Sequence, residues 1–207
     1  SRGYGRKSSG YLLVSDGKNI LTEVNKCGDE IYQTAIECSV PAAVSENRVK
    51  GAQRFIKDTG VENIILDDAF QHRWIDRDIN LLMCEQRFLI EPEFFRRQLL
   101  PAGSMRESFS AIKRADIVII NRKFSEPQDI PSDLKKYFDG KKIFTAKYKA
   151  VSFVDVVRKT EYKLEEFEGQ KSLVVSGVAN PFSFLNILRQ TNVDTSNRII
   201  FSDHKHY

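Results

Sequence analysis

Short apolar segments typical of β-strands alternate along this chain with segments of helical periodicity, and this alternation constrains the fold more than any other feature. Some strands are nearly continuous apolar runs, such as residues 64–66 and 117–120. Strands of this kind are buried on both faces, as in a parallel sheet covered by helices. The alternation therefore predicts an α/β fold with a mainly parallel sheet. The predicted strands cover residues 11–14, 42–45, 63–66, 80–84, 116–120, 142–146, 172–175 and 198–201.

Helical patterns fill the intervals between these strands. In residues 47–58 the side chains of Val49, Ala52 and Phe55 recur at helical spacing, and Gly60 follows as a stop signal. Further helices are predicted over residues 92–100, 132–138 and 181–190. Residues 148–170 interrupt the alternation, which predicts either an inserted hairpin or a linker. We therefore expect a main α/β core over residues 1–147, followed over residues 148–207 by this hairpin or linker and a second α/β lobe.

The composition limits the kinds of protein that this chain could be. The chain has 207 residues, of which 41% are hydrophobic, and its net charge is 32 − 28 = +4. That charge is too small to indicate a nucleic-acid partner in the absence of a nucleic-acid-binding motif, so none is predicted. Cys27, Cys38 and Cys84 form no closely spaced pair, which favours a reduced, intracellular setting over a zinc site.

The chain shows no signal of membrane insertion in its own sequence. Its apolar runs are far shorter than the ~20 residues that a spanning helix needs, and no signal peptide is visible. It opens on Ser1-Arg2-Gly3-Tyr4 without an initiator methionine. We therefore expect it to be a piece of a longer protein.

Two adjacent acids, Asp67 and Asp68, follow the apolar run Ile64–Leu66. An apolar strand that ends in carboxylates resembles a Walker B element, which presents them where ligands bind at the edge of an α/β sheet. One or two carboxylates together with phosphate oxygens suffice to hold Mg²⁺. The alternative is an ordinary turn, in which aspartate is common.

Three other segments carry groups that could act chemically. Asp29, beside Gly28, is either a turn residue or a general base. Arg106 and Glu107 follow a Pro/Gly loop and form either a surface ion pair or a phosphate- and metal-binding pair. His204 and His206 near the end of the chain suggest acid–base or metal chemistry, or an exposed terminus.

Several catalytic motifs do not occur in the sequence. There is no G-x-x-x-x-G-K-[ST] phosphate-binding loop, no G-x-S-x-G nucleophile elbow and no H-E-x-x-H zinc motif. These 207 residues alone therefore lack the standard means of holding ATP phosphates.

Taken together, five ordered segments resemble those of the tetraacyldisaccharide 4′-kinases, the lipid A 4′-kinases. The family consists of P-loop kinases with a Rossmann-like core and a smaller second lobe. The resemblance implies transfer of the γ-phosphate of ATP, with Mg²⁺, to the 4′-hydroxyl of a lipid disaccharide at the cytoplasmic face of the bacterial inner membrane. The family's Walker A loop and N-terminal membrane helix would precede Ser1, so the chain alone should be inactive. The matching segments are residues 1–5, 28–30, 67–72, 100–103 with 106–107, and 203–204.

The resemblance also implies roles for individual residues. Asp29 would be the base that accepts the proton of the 4′-hydroxyl, and His204 would orient it. Asp67 and Asp68 would lie at the Mg²⁺–ATP site with Glu107, and Arg106 would stabilise the phosphates. The residues expected to bind substrate or nucleotide are Tyr4, Arg48, Gln71 and His72.

Four positions depart from the family pattern without removing a proposed catalytic group. They are Ile31, where proline is common; Ala69, where glycine is common; Ser104-Met105, where Pro-Leu is usual; and Lys205, where a second histidine is common. Two other functions stay open on the residues alone. A non-catalytic nucleotide- or partner-binding module would tolerate the loss of Asp29 and His204, and a metal-dependent hydrolase would act without ATP.

Overall fold

A computed structural model describes residues 1–91, 97–178 and 180–202. The strands are β1 (Leu12–Asp16), β2 (Pro41–Val44), β3 (Leu81–Glu85), β4 (Ile117–Asn121), β5 (Lys142–Ala146), β6 (Phe153–Val154), β7 (Glu161–Tyr162), β8 (Lys171–Ser176) and β9 (Asp194–Ile200). The α-helices are α1 (Val24–Cys27), α2 (Asp29–Cys38), α3 (Arg48–Thr59), α4 (Gln86–Ile90), α5 (Ser132–Phe138) and α6 (Pro181–Arg189), and 3₁₀ helices cover Phe109–Arg114 and Leu164–Phe167. Across these described ranges, no helix has the length and apolar character to cross a bilayer.

The chain forms two compact units that divide between Asp78 and Ile79. The first contains β1, β2 and α1 to α3, and the second contains the remaining elements. The lobe boundary predicted after residue 147 stays a prediction.

The core of the first unit lies between a two-stranded sheet and the short helices α1 and α2. β1 and β2 pair antiparallel, and Val14, Val44 and Cys27 are fully buried beside Ala35 of α2. α3 begins directly after β2, where the side chain of Asn47 accepts a hydrogen bond from the Lys50 backbone N–H at 3.0 Å. Such caps satisfy a donor that the first helical turn leaves unpaired.

The second unit contains the parallel sheets. β3, β4 and β5 form one sheet in which both strand pairs are parallel. β8 and β9 also pair parallel, and α6 connects them. This confirms the predicted α/β class with mainly parallel strands. β6 and β7 pair antiparallel, so the interruption at residues 148–170 contains a hairpin.

The predicted strand over residues 63–66 is wrong. These residues form no strand, none of the described strands pairs with them, and Ile65 is 94% exposed. A buried strand needs hydrogen-bonding neighbours as well as apolar side chains, and an apolar run does not specify those neighbours. β9 also begins four residues earlier than predicted, because parallel pairing of Asp194 with Lys171 extends it into a polar stretch. The predicted helix over residues 92–100 falls largely on residues 92–96, outside the described residues.

Candidate functional site

The first five residues connect two of the predicted motifs in the first unit. The Ser1 carbonyl accepts a hydrogen bond from the Ser45 backbone N–H at 3.1 Å, and the Ser1 hydroxyl donates to Asp67 Oδ2 at 3.2 Å. A Cβ atom added at Gly28 would lie 2.9 Å from the Tyr4 carbonyl oxygen, so this segment also packs closely on the Gly28 turn. Residues 1–5 therefore lie against both Asp67 and the turn that precedes Asp29.

Gly28 and Asp29 form the start of α2 rather than a free turn. Gly28 has a φ of 94°, which suits glycine, and its carbonyl accepts a hydrogen bond from the Tyr32 backbone N–H at 3.2 Å. Asp29 is the first helical residue, is exposed, and accepts a hydrogen bond from the Glu30 backbone N–H at 3.0 Å. A carboxylate at a helix N-terminus interacts favourably with the helix dipole. Helix α2 thus holds the Asp29 carboxylate at a fixed, solvent-accessible position.

Asp67 and Asp68 occupy a turn held by Arg48. Asp68 has a left-handed φ of 43°, and both side chains are exposed. Arg48 is only 7% exposed. Its Nη1 donates to the Asp67 carbonyl at 2.5 Å and its Nη2 to the Asp68 carbonyl at 3.5 Å. Burial lowers the pKa of the Arg48 guanidinium, and the charges of Asp67 and Asp68 oppose that effect.

His72 lies at the end of the same motif. Its backbone N–H donates to the Ala69 carbonyl at 2.9 Å. Its Nε2 atom is buried and has no hydrogen-bond partner within the described part of the chain. Buried polar atoms usually have such a partner, so this nitrogen is suited to contact a ligand. Gln71 and Tyr4 are exposed, and their predicted binding roles stay predictions, as does that of Arg48.

Arg106 and Glu107 belong to the second unit. The preceding loop closes through hydrogen bonds from the Leu100 N–H to the Met105 carbonyl and from the Met105 N–H to the Gln98 carbonyl, at 2.9 and 3.0 Å. Both Glu107 carboxylate oxygens accept from Arg114 Nη2 at 2.8 Å. Arg106 is exposed. Their proposed roles at phosphate and metal stay predictions.

The donors of the Asp67–Asp68 turn suit a hard cation. Carboxylate oxygens are the ligands that Mg²⁺ prefers, and it retains waters and phosphate oxygens in its other positions. Within residues 1–91, 97–178 and 180–202, no three His, Cys, Asp or Glu side chains form a group that could hold a metal ion by themselves. His204 lies outside the described residues, so its pairing with Asp29 stays a prediction.

One contact to the Asp67–Asp68 turn could not be predicted from the sequence motifs. Arg77 Nη1 donates to the Ala69 carbonyl at 2.5 Å. Arg77 lies between Asp76 and Asp78 in a polar segment, which gives no sign of a contact eight residues back. Basic residues often follow acidic motifs closely, so this position in the sequence could not have identified Arg77.

Comparison with known proteins decides the family. The sequence model of the family Tetraacyldisaccharide-1-P 4′-kinase matches residues 1–207. The chain belongs to this family. The assignment confirms the resemblance inferred from the five motifs.

Curated members of the tetraacyldisaccharide 4′-kinase family align with the whole chain. Proteins named Tetraacyldisaccharide 4′-kinase from Halothermothrix orenii, Chlorobium phaeovibrioides and Aquifex aeolicus are 34%, 32% and 30% identical to it. Each alignment covers 100% of this chain but 57%, 59% and 62% of the relative. The chain therefore spans about three-fifths of the length of the curated relatives that it matches.

A solved structure of the same family shares the fold. It is the crystal structure of LpxK from Aquifex aeolicus in complex with ATP. It superimposes with a TM-score of 0.76 at 29% identity, covering 99% of this chain and 61% of that one. The α/β fold seen here is thus the fold of this kinase family over the matched region.

Proposed function

We propose that the protein containing this chain transfers the γ-phosphate of ATP to the 4′-hydroxyl of a tetraacyldisaccharide 1-phosphate in lipid A biosynthesis. The family and the names of its relatives support this reaction, and the ATP complex of the Aquifex relative supports the phosphate donor. The observation that carries the proposal is the position of residues 1–5 against both Asp67 and the Gly28 turn. Through that segment, the proposed metal-binding turn at Asp67 and Asp68 is connected to the turn that precedes the proposed base Asp29, within the first unit.

Asp29 would serve as the general base. Its exposed carboxylate would accept the 4′-hydroxyl proton as that oxygen forms a bond to the γ-phosphorus. The bond to the β-phosphate bridging oxygen breaks and ADP leaves. His204 would orient Asp29. Phosphoryl transfer depends mainly on positioning and charge stabilisation, so a base near the nucleophile and charges near the phosphates are the required parts.

The other motif residues would hold the phosphates and the cation. Asp67, Asp68 and Glu107 would hold Mg²⁺, which when bound neutralises charge on the β- and γ-phosphates. Arg106 would stabilise negative charge on the transferring group. The residues proposed to bind substrate or nucleotide are Tyr4, Arg48, Gln71 and His72, and the buried, unpartnered Nε2 of His72 supports this role.

Parts of the activity would depend on residues outside these 207. The chain lacks a Walker A sequence and spans about three-fifths of its curated relatives. We propose that the rest of the protein supplies the phosphate-binding loop. We also propose that it provides the attachment to the cytoplasmic face of the inner membrane, through an N-terminal helix or the protein surface. Residues 1–147 would then belong to the kinase core and residues 148–207 to the hairpin and second lobe.

The test is a kinase assay on the intact protein and its Asp29→Asn variant. With ATP and the lipid disaccharide, we expect kcat to fall by about 10² to 10³ in the variant, as when an electrostatic catalytic group is lost. The KM for ATP should change little, because Asp29 acts on the acceptor. Glu37→Gln, an exposed acid on the same helix, is the matched control and should retain activity.

Three results would contradict the proposal. Full-rate turnover by Asp29→Asn would exclude the base role. Activity of the wild-type protein on the lipid disaccharide in the absence of ATP would favour a metal-dependent hydrolase. Nucleotide binding without transfer would favour a binding module.

A further inference from the structure

We infer that Arg77 is a positioning residue that, together with Arg48, holds the Asp67–Asp68 turn in the geometry that binds the metal. The inference rests on the proposed function, because Mg²⁺ at this turn is part of it. It adds a residue that none of the motifs contains.

The turn is held through its backbone. Three successive carbonyl oxygens, those of Asp67, Asp68 and Ala69, accept hydrogen bonds from arginine side chains. Arg48 donates to the first two from the start of α3, and Arg77 Nη1 donates to the third at 2.5 Å. Hydrogen bonds with a charged donor are roughly twice as strong as neutral ones.

The local backbone needs this support. Residues 61–80 contain no helix or strand, so no regular ladder fixes the turn. Asp68 adopts a left-handed φ of 43°, a conformation that residues with a side chain adopt less readily than glycine. Such a conformation persists only where surrounding contacts impose it. The arginine pair, Arg48 and Arg77, provides such contacts on both sides of Asp68.

Arg77 also connects the turn to His72. The Ala69 carbonyl accepts from the His72 backbone N–H at 2.9 Å as well as from Arg77. A carbonyl oxygen has two lone pairs and can accept both bonds. Losing Arg77 should therefore loosen the proposed metal ligands and the proposed ligand-binding histidine together.

The experiment compares Arg77→Gln and Arg77→Lys with a matched control in the intact protein. Arg54→Gln is that control, because Arg54 pairs with Asp58 on the exposed side of α3 in the same unit. We expect Arg77→Gln to lower kcat about 10- to 100-fold, the scale of a misplaced catalytic group, and to raise the Mg²⁺ concentration for half-maximal rate. Arg77→Lys keeps the charge without the planar guanidinium, so its Mg²⁺ requirement should be intermediate. Arg54→Gln should stay within about twofold of wild type, as expected of an exposed pair.

A second readout separates this inference from the proposed function. Mn²⁺ binding to the intact protein, followed by electron paramagnetic resonance, requires no turnover. If the wild type transfers no phosphate, the proposed function fails, and weaker Mn²⁺ binding by Arg77→Gln would still support the positioning role. Unchanged Mn²⁺ binding would overturn that role.

Folding effects are distinguished in the same series. A lower melting temperature with unchanged kcat and Mg²⁺ requirement per folded molecule would make Arg77 merely structural and overturn the inference. If Arg77→Gln does not fold, Arg77→Lys decides. A raised Mg²⁺ requirement in that variant supports the positioning role, and a wild-type requirement overturns it.

Discussion

Among single residues, the thiol of Cys84 has a strongly raised pKa. Burial raises the pKa of Cys84 to about 11 from an ordinary 9.0. The folded state therefore disfavours the thiolate. A group whose pKa is higher in the folded than in the unfolded state contributes stability that is complete below the unfolded pKa and is lost as pH rises through the folded one.

This shift predicts that the folded protein loses stability at alkaline pH. Between pH 9 and pH 11 the free energy of unfolding should fall more for the wild type than for Cys84→Ala, which has no thiol to ionise there. Urea unfolding of both proteins at pH 8, 10 and 11 measures the difference, and Cys38→Ala, which removes an exposed thiol, is the control. If the free energies of unfolding of wild type and Cys84→Ala depend on pH in the same way, the raised pKa of Cys84 is refuted.

At the residue scale, the sequence indicates candidate residues but not the contacts that surround them. Asp29, Asp67 and Asp68 stand out as candidates because each belongs to a recognisable short motif, and their roles stay predictions. The contacts of Ser1 with Asp67 and of Arg77 with Ala69 were not predictable. Both depend on how the chain folds back on itself, over 66 residues for the first contact and 8 for the second. No local periodicity encodes such a path.

At the scale of elements, prediction succeeded where side-chain periodicity and end signals agreed. Helix α5 and strand β5 occupy the predicted ranges, and α3 is displaced by one residue. It failed where strand pairing decides the structure: residues 64–66 are apolar but have no strand neighbour among the described residues. Helix α2 was missed because Gly28-Asp29 is also a common turn signal, and the helix buries little besides Ala35.

The contact between α3 and Ser45, the residue that follows β2, predicts a reversal of the usual helix propensity. Replacing glycine by alanine within a helix normally stabilises it by about 0.5–1 kcal/mol. At Gly51 the new Cβ would lie 2.5 Å from Ser45 Cβ, and Ser45 is held by its hydroxyl, which donates to the Asn47 carbonyl at 2.9 Å. We expect Gly51→Ala to lower the free energy of unfolding by about 1–3 kcal/mol, as overpacking does.

Chemical denaturation of three variants tests this close approach. Gln53→Ala, at an exposed position of the same helix, should leave stability nearly unchanged. The double variant Gly51→Ala with Ser45→Gly should regain part of the loss, since it removes the opposing Cβ. A gain in stability from Gly51→Ala alone would mean that α3 does not approach Ser45 this closely.

At the scale of the whole molecule, one face of the β3–β4–β5 sheet is apolar and open to solvent. Met83, Ile119 and Phe144 lie side by side in register, and Met83 and Phe144 are 64% and 58% exposed. The opposite face carries Val118 and Ile120, which are buried. Parallel sheets are ordinarily covered on both faces, and a contiguous exposed apolar surface favours association.

This surface predicts the solution behaviour of the 207-residue chain. The isolated chain should bind the dye ANS and self-associate as its concentration rises, because association removes Met83 and Phe144 from water. The double variant Met83→Lys with Phe144→Thr should reduce both effects by placing polar groups at adjacent positions of the face. Val154→Lys changes an exposed apolar residue in a different sheet and should leave both unchanged. Dye fluorescence and sedimentation velocity measure the two effects. Equal reductions in the double variant and the control would assign the association to general surface charge, whereas a selective reduction would assign it to the open face of the parallel sheet.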